Sequence, residues 1–380
     1  MKLELTSLGE VADFINGYAF SPLDRNEEGK RIIRIQNLTD STKPYNRTKK
    51  NVGDKYEVYP KDLLVSWSAS LGVFEWNEKD IALVNQHIFK VIPRDGVYKP
   101  YLRHAITVVL KSMDRFTHGS TMKHINRAEF LDTKIYLPSD IDEQKRIANI
   151  LDKADAIRQK RQQTIELADQ FLRSAFLDMF GDPVKNPKGW NKRLLDEIIQ
   201  VQSGQVDPKV SPYCNLPHVG GDNIISGSGK LLNVKLAKEL NLKSGKYAFD
   251  ESFILYSKIR PILNKVASPN FSGICSADIY PIRPKAKTVS KYFLEAVLKS
   301  KDFLKYCEKV STRTNIPKIN RSDLLSYSAP IPTYIEGSQQ SQFEDLAKNI
   351  SIIKEKLFQS YEHSISLFNS LTQRAFRGEL

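Results

Sequence analysis

The stretch from Glu143 to Phe180 runs 38 residues without proline or glycine and then meets Gly181-Asp182-Pro183. Stepping alternately four and three residues through Ile147, Leu151, Ala154, Arg158, Arg161, Ile165, Ala168, Leu172, Ala175 and Met179 finds apolar side chains at eight of ten positions. That spacing is the seam of a coiled coil with an arginine interruption. Glycine suits the position just past a helix and proline cannot continue one, so the stop is well marked. At 1.5 Å per residue the helix is about 57 Å long. Such a rod is stabilised mainly by what packs along it, so it needs a second surface.

The chain supplies that surface between Phe343 and Phe376. Here the same stepping through Leu346, Ile350, Ile353, Leu357, Tyr361, Ser364, Phe368, Leu371 and Ala375 gives eight apolar residues of nine. Aligned 200 residues apart, the two stretches share Asn149/Asn349, Ile150/Ile350, Gln159/Gln359, Ile165/Ile365, Leu167/Leu367, Ala175/Ala375 and Phe176/Phe376. An internal repeat is the economical reading.

The segments ahead of each helix repeat as well. Leu8 to Gly17 (LGEVADFING) matches Leu195 to Gly204, and Ile33 to Leu38 matches Val219 to Ile224. Ser66-Trp67-Ser68 falls near Tyr256-Ser257-Lys258, and Asn85 to Phe89 falls near Ser276 to Tyr280. His124-Ile125-Asn126-Arg127 matches Lys318-Ile319-Asn320-Arg321. Each match is loose, but all keep one order. Within the first segment EVADFING, RIIRIQNL, DLLVSWSAS, IALVNQHIFKVI and TKIYLP read as strands or buried short runs, and KPYLRHAITVVLKSM reads as a helix. The fold class is therefore α+β, with two similar α+β domains alternating with two long helices; two like units related by a pseudo-twofold axis would pair those helices as an antiparallel coiled coil. The expected boundaries are 1–140, 141–182, 183–336 and 337–380.

Length and composition fit two or three soluble domains: 380 residues, 41% hydrophobic and 27% charged. No apolar run reaches the roughly 18 residues of a membrane span, and MKLELTSLGE has no signal-peptide core, so a cytoplasmic location is expected. Cys214, Cys275 and Cys307 show neither disulfide nor zinc spacing and read as incidental thiols. The basic excess lies between the rods: residues 1–138 carry 21 basic and 17 acidic side chains, and 189–335 carry 22 and 12. The stretch Glu143 to Asp178 carries 7 and 6. Globular parts that touch a polyanion and rods that touch protein would produce this split.

The ensemble of LGEVADFINGYAF, IRIQNL, GSTMKHINRAEF followed by TKIYLP, and DEQKRIANILDKADAIRQKRQQTIELADQFLRSAFLDMFG, repeated in order along essentially the whole chain, resembles the specificity subunit of type I restriction-modification systems. The resemblance implies that each globular part is a target-recognition domain reading one half of a bipartite double-stranded DNA target. It implies that the helices act as a spacer and hold two methyltransferase subunits, with restriction subunits joining in the full complex. It also implies that this subunit does no chemistry and needs no cofactor.

Candidate DNA-contacting residues follow from residue type and turn position. In the first domain they are Tyr18, Gln36, Asn37, Ser66, Ser68, Gln86, His87, His118, Ser120, Thr121 and Lys123. In the second they are Lys209, Lys258, Arg260, Lys265, Thr312, Arg313, Thr314, Asn315 and Lys318. Arginine pairs bidentately with guanine and asparagine or glutamine with adenine, which puts Arg313, Asn315, Gln36 and Gln86 first for base edges. The lysines and Arg260 suit phosphates, which position without specifying. Competing roles stand beside these: Gln36 and Asn37 as turn residues, Tyr18, Trp67 and Phe89 as core aromatics, and the paired Ile-Asn-Arg motifs as framework.

Motifs for chemistry are missing from the sequence. It has no Gly-rich cofactor loop and no Asn-Pro-Pro-aromatic motif; Asn186-Pro187-Lys188 is a fragment, and Ser226 to Lys230 (SGSGK) lacks the first glycine and the hydroxyl residue of a P-loop, so it reads as a turn. Asp207-Pro208-Lys209 has no companion carboxylate strand, and the six histidines show no ligand spacing. No metal is expected. The rival readings are a non-catalytic coiled-coil scaffold without sequence-specific DNA reading, and an enzyme whose cofactor site the sequence does not display.

Overall fold

The computed structural model describes residues 3–114, 126–286, 288–311, 316–335 and 337–380. It divides into two compact units, one made of 1–161 with 360–380 and the other of 162–359. Each unit therefore takes one globular domain, the first half of the long helix that follows it, and the second half of the other long helix.

The two units repeat one plan. In the first, the strands Ala12–Asn16, Ile88–Pro93, Leu63–Ser66 and Gly72–Glu75 form one sheet in that order, all antiparallel. A second sheet runs Asn46–Thr48, Lys30–Ile33, Ala82–Val84, Glu57–Val58, its two central strands parallel. In the second unit Ile199–Val201, Ile279–Pro284, Ile254–Ser257 and Val266–Ala267 repeat the first order. Lys235–Leu236, Pro217–Val219, Gly273–Cys275 and Tyr247–Phe249 repeat the second order, again with a parallel central pair. A two-stranded ribbon closes each domain: Leu3–Ser7 on Lys134–Pro138, and Lys192–Leu194 on Ser328–Pro330.

The expected runs resolve into shorter pieces. IALVNQHIFKVI is two strands, Ala82–Val84 and Ile88–Pro93, broken by a turn at Asn85 to His87. In RIIRIQNL the strand stops at Ile33, and Ile35–Thr39 winds into a helix turn because Asn37 accepts a hydrogen bond from the Arg34 N–H at 3.1 Å. The helix Lys99–Asp114 and the turn at Ser226 to Lys230 stand as read.

The long helices are Ile141–Phe180 and Gln339–Ala375. In the first unit Ile147, Leu151 and Ala154 share a buried cluster with Phe368 and Ala375, and the Arg161 guanidinium donates to the Ser360 carbonyl at 2.6 Å. In the second unit Phe176 and Phe180 pack on Phe343, and Lys354 pairs with Asp169. Within each unit, residue number rises along one helix as it falls along the other, so the helices pair antiparallel. Gly181 adopts φ +84° and its N–H reaches the Leu177 carbonyl at 2.8 Å, the left-handed cap that ends the first rod.

Each rod is fastened to its domain by one buried glutamine. Gln144 accepts from the Tyr98 N–H at 2.8 Å and donates to the Gly96 and Pro138 carbonyls at 2.9 and 2.8 Å. Gln340 accepts from the Ser290 N–H at 3.0 Å and donates to the Pro332 carbonyl at 2.5 Å. The paired glutamines join the loop before the domain's helix to the strand or loop before the rod. Replacing Gln144 with alanine removes the partner of three backbone groups, of which the Pro138 carbonyl is buried, so we expect a loss of about 1–3 kcal/mol in denaturant unfolding. A loss under about 0.5 kcal/mol would show that the clamp is not part of the fold's stability.

Candidate nucleic-acid interface

In the first unit Gly17 brings two loops together. A Cβ at this position would lie 2.2 Å from the Asn85 carbonyl oxygen and 2.3 Å from that of Val84, so only glycine permits the approach. Tyr18 then donates its N–H to Val84 at 2.8 Å, and the Gln86 N–H returns to the Tyr18 carbonyl at 3.1 Å. Gln86 is exposed, with its amide nitrogen 3.2 Å from His87 Nε2. The half-buried Tyr18 ring meets Phe20 at 4.9 Å and Tyr56 at 5.4 Å. Lys50 sits 5.0 Å over it and donates to Asp24 at 2.8 Å. That hydrogen bond, with those from the Ser21 N–H and hydroxyl, holds the Asp24 carboxyl down to about 2, and the same Asp24 contact, then Tyr18, raises Lys50. Tyr18, Gln86 and His87 thus form one edge. Gln36 is exposed on its own turn.

Three other candidates are spent on the fold. Asn37 is 5% exposed; besides the Arg34 bond it donates to the Lys43 and Pro44 carbonyls at 3.1 and 3.2 Å. Ser66 is fully buried and donates to the Ser68 carbonyl at 3.3 Å, and Ser68 is buried too. The second unit repeats this wiring. Asn223 accepts from the Gly220 N–H at 2.8 Å and donates to Leu232 and Asn233 at 2.9 and 3.1 Å, and Ser257 donates to the Ile259 carbonyl at 3.4 Å. A polar residue kept with identical partners in both domains is holding the backbone. Arg127 and Arg321 behave likewise, donating to the carbonyls of Phe14 at 3.1 Å and Val201 at 3.3 Å.

In the second unit the Arg260 N–H donates to the Pro317 carbonyl at 2.7 Å, and the Ile319 N–H donates to that of Lys258 at 3.0 Å. These bonds set the exposed Arg260 and Lys318 side by side. Arg260 has φ +48°, repeating Ala69 at +58° in the first unit, so the backbone bend is inherited and only the charge is new. Lys258 is half-buried, donating to the Ala277 carbonyl at 2.8 Å and lying 3.5 Å from Asp278. Lys265 donates to the Gly221 carbonyl at 2.6 Å, which occupies one of its three donors. Lys209 is exposed on a different loop, beside Cys214 and Lys238. His118, Ser120, Thr121 and Lys123, and Thr312, Arg313, Thr314 and Asn315, lie outside the described residues.

Gln144, Gln340 and Asn223 were not singled out by sequence reasoning. The available signal was their recurrence at the start of both rods and after both parallel strands. Among the described residues no group of three or more His, Cys, Asp or Glu is placed to hold a metal ion, and no helix is long and apolar enough to cross a membrane. Burial pushes the thiols of Cys275 and Cys307 up to about 12 and about 11.

Residues 2–167 and 187–359 match the family described as type I restriction modification DNA specificity domain. The chain belongs to that family. Among DNA specificity proteins it is 28% identical to the type I restriction enzyme EcoDI specificity subunit of Escherichia coli, over 71% of this chain and 68% of that one. It is 23% identical to the EcoBI specificity subunit of the same organism, over 98% and 85%. A crystal structure of the S subunit of a type I system from M. genitalium shares the fold, with TM-score 0.60 and 13% identity over 99% of this chain and 96% of that one.

Proposed function

We infer that this specificity subunit recognises DNA sequence for a type I restriction-modification complex and leaves methylation and cleavage to its partners. Each domain reads one half of a bipartite duplex target, the paired rods set the unread gap, and two methyltransferase subunits dock on the rods, with restriction subunits joining in the full complex. The observation that carries the reading is the contrast between kept and changed positions. Sheet order, clamps and turn-closing asparagines recur in both units, whereas the edge is the exposed Gln86 with the half-buried Tyr18 and His87 in one and the exposed Arg260 and Lys318 in the other. Two readers of different sequences diverge in this manner.

A duplicated apolar position supports two copies of one protein partner. Leu167 and Leu367 occupy matching places in the two rods, and each is 53% exposed. Apolar side chains kept exposed twice are explained by the same surface binding twice. Of the other candidates, the exposed Gln36 is assigned to a base edge and the exposed Lys209 and Lys318 to phosphates as part of this proposal. A cytoplasmic location follows from a partner that is DNA.

Matched four-residue insertions after Arg161 and before Ser360, where the rods face each other, would lengthen both by about 6 Å. The gap in the methylated sequence is then expected to grow by about two base pairs, with both half-sites kept. An unchanged gap in an assembled, active complex would refute the spacer role.

A further inference from the structure

The dipeptide Lys-Tyr occurs at the same place in both domains and has two different fates. Lys55-Tyr56 leads into the strand Glu57–Val58, and Lys246-Tyr247 leads into Tyr247–Phe249, the edge strands of equivalent sheets. Lys246 is 5% exposed, and its ammonium donates to the carbonyl and hydroxyl oxygens of Ser244 at 2.6 and 2.8 Å. It is a lysine consumed by the fold. Lys55 is exposed, stands 4.8 Å over the ring of Tyr56, and makes no ion pair among the described residues.

What lies beside Lys55 gives that cation a use. The Tyr56 ring meets the Tyr18 ring edge-on at 5.4 Å, and Tyr18 is bonded through its backbone to Gln86. A charged lysine therefore stands on an aromatic step leading to the exposed edge of the first domain. The neighbouring Lys50 is already compensated by Asp24, whose carboxylate accepts a hydrogen bond from its ammonium at 2.8 Å. A cation over a ring face is restrained at little cost, while its three donors remain available to an anion.

We infer that Lys55 contacts a backbone phosphate of duplex DNA, holding the duplex in register beside the edge formed by Tyr18, Gln86 and His87. The inference rests on the DNA-recognition reading above and adds a residue and a chemical target to it. Lys246, drawn into the fold, makes no such contact, so the two domains grip the backbone through different residues.

The test uses the full chain assembled with its methyltransferase subunits. K55A and K55R are compared with wild type on duplexes carrying the methylated sequence and on scrambled duplexes, between about 50 and 200 mM salt. For K55A the slope of log affinity against log salt is expected to become shallower by about 0.9, one phosphate's worth of released counterions. Affinity should fall by the same factor on both duplexes, and K55R should restore the wild-type slope. An unchanged slope for K55A, or a changed sequence preference, would overturn the assignment. Failure of the wild-type complex to bind duplex DNA in a salt-dependent manner would instead overturn the DNA reading on which it rests.

Discussion

Exchanging residues 1–138 for the first domain of another specificity subunit is expected to change one half of the methylated sequence and leave the other half intact. The construction of the domain makes this exchange practicable. Its ends lie together in the ribbon of Leu3–Ser7 on Lys134–Pro138, so a replacement enters and leaves at one place. Part of its attachment to the rods runs through backbone groups, since Gln144 takes the Tyr98 N–H and the Gly96 and Pro138 carbonyls. The replacement must also keep side chains in the places of Arg103 and His104, which bind Asp152 on the rod, and of Tyr101, which packs on Phe376. The edge we propose to read DNA is carried on loops within the exchanged segment. Each altered base pair costs about 1–3 kcal/mol, so duplexes with the old half-site should lose roughly 5- to 150-fold in affinity per changed position. Methylation of both halves altered, or neither, would mean that the two domains do not read independently.

Phe343→Ala is expected to be the most damaging single change in the rods. The Phe343 side chain is fully buried, with ring centroids 5.6 Å from Phe176 and 5.5 Å from Phe180. Phe293 from the domain completes the group, 5.4 Å from Phe176 and 4.8 Å from Phe180. One ring thus ties the second rod to the first and, through its neighbours, to the domain. Its truncation leaves a cavity that packed helices cannot close, a cost of about 3–5 kcal/mol. In a unit of this size that lowers the unfolding midpoint by on the order of 10 °C. Phe343→Leu keeps most of the volume and should cost less than half as much. A loss below about 1 kcal/mol for the alanine variant would contradict the packing described.

The rods and the duplication were legible in the sequence because both are periodic. A seam of alternating four- and three-residue steps has no strand or loop equivalent, and Gly181 marks its end by the left-handed backbone it needs. The two arginines in that seam have a physical account as well: Arg158 bonds Asp155 and lies 5.9 Å over the Phe368 ring, and Arg161 reaches the Ser360 carbonyl across the rods. The interface was legible only in part. Residue type and turn position pointed to Gln86 and to Asn37 alike, yet one amide faces solvent and the other closes a turn. Nothing in a single copy separates them. The second copy does: Asn223 keeps the bonds of Asn37, whereas Ala277 and Asp278 replace Gln86 and His87. Lys55 and Lys246 carry the same lesson in reverse, since a repeated dipeptide conceals opposite burial.

The account depends on this chain choosing which DNA sequence its complex modifies. Mapping methylated adenines or cytosines across a host genome, with the methyltransferase subunits expressed alone and then together with this chain, tests that most directly. The expected result is a split sequence motif, two read halves around a fixed gap, methylated only when this chain is present. Methylation of the same sequence without it, or no sequence dependence with it, would contradict the account.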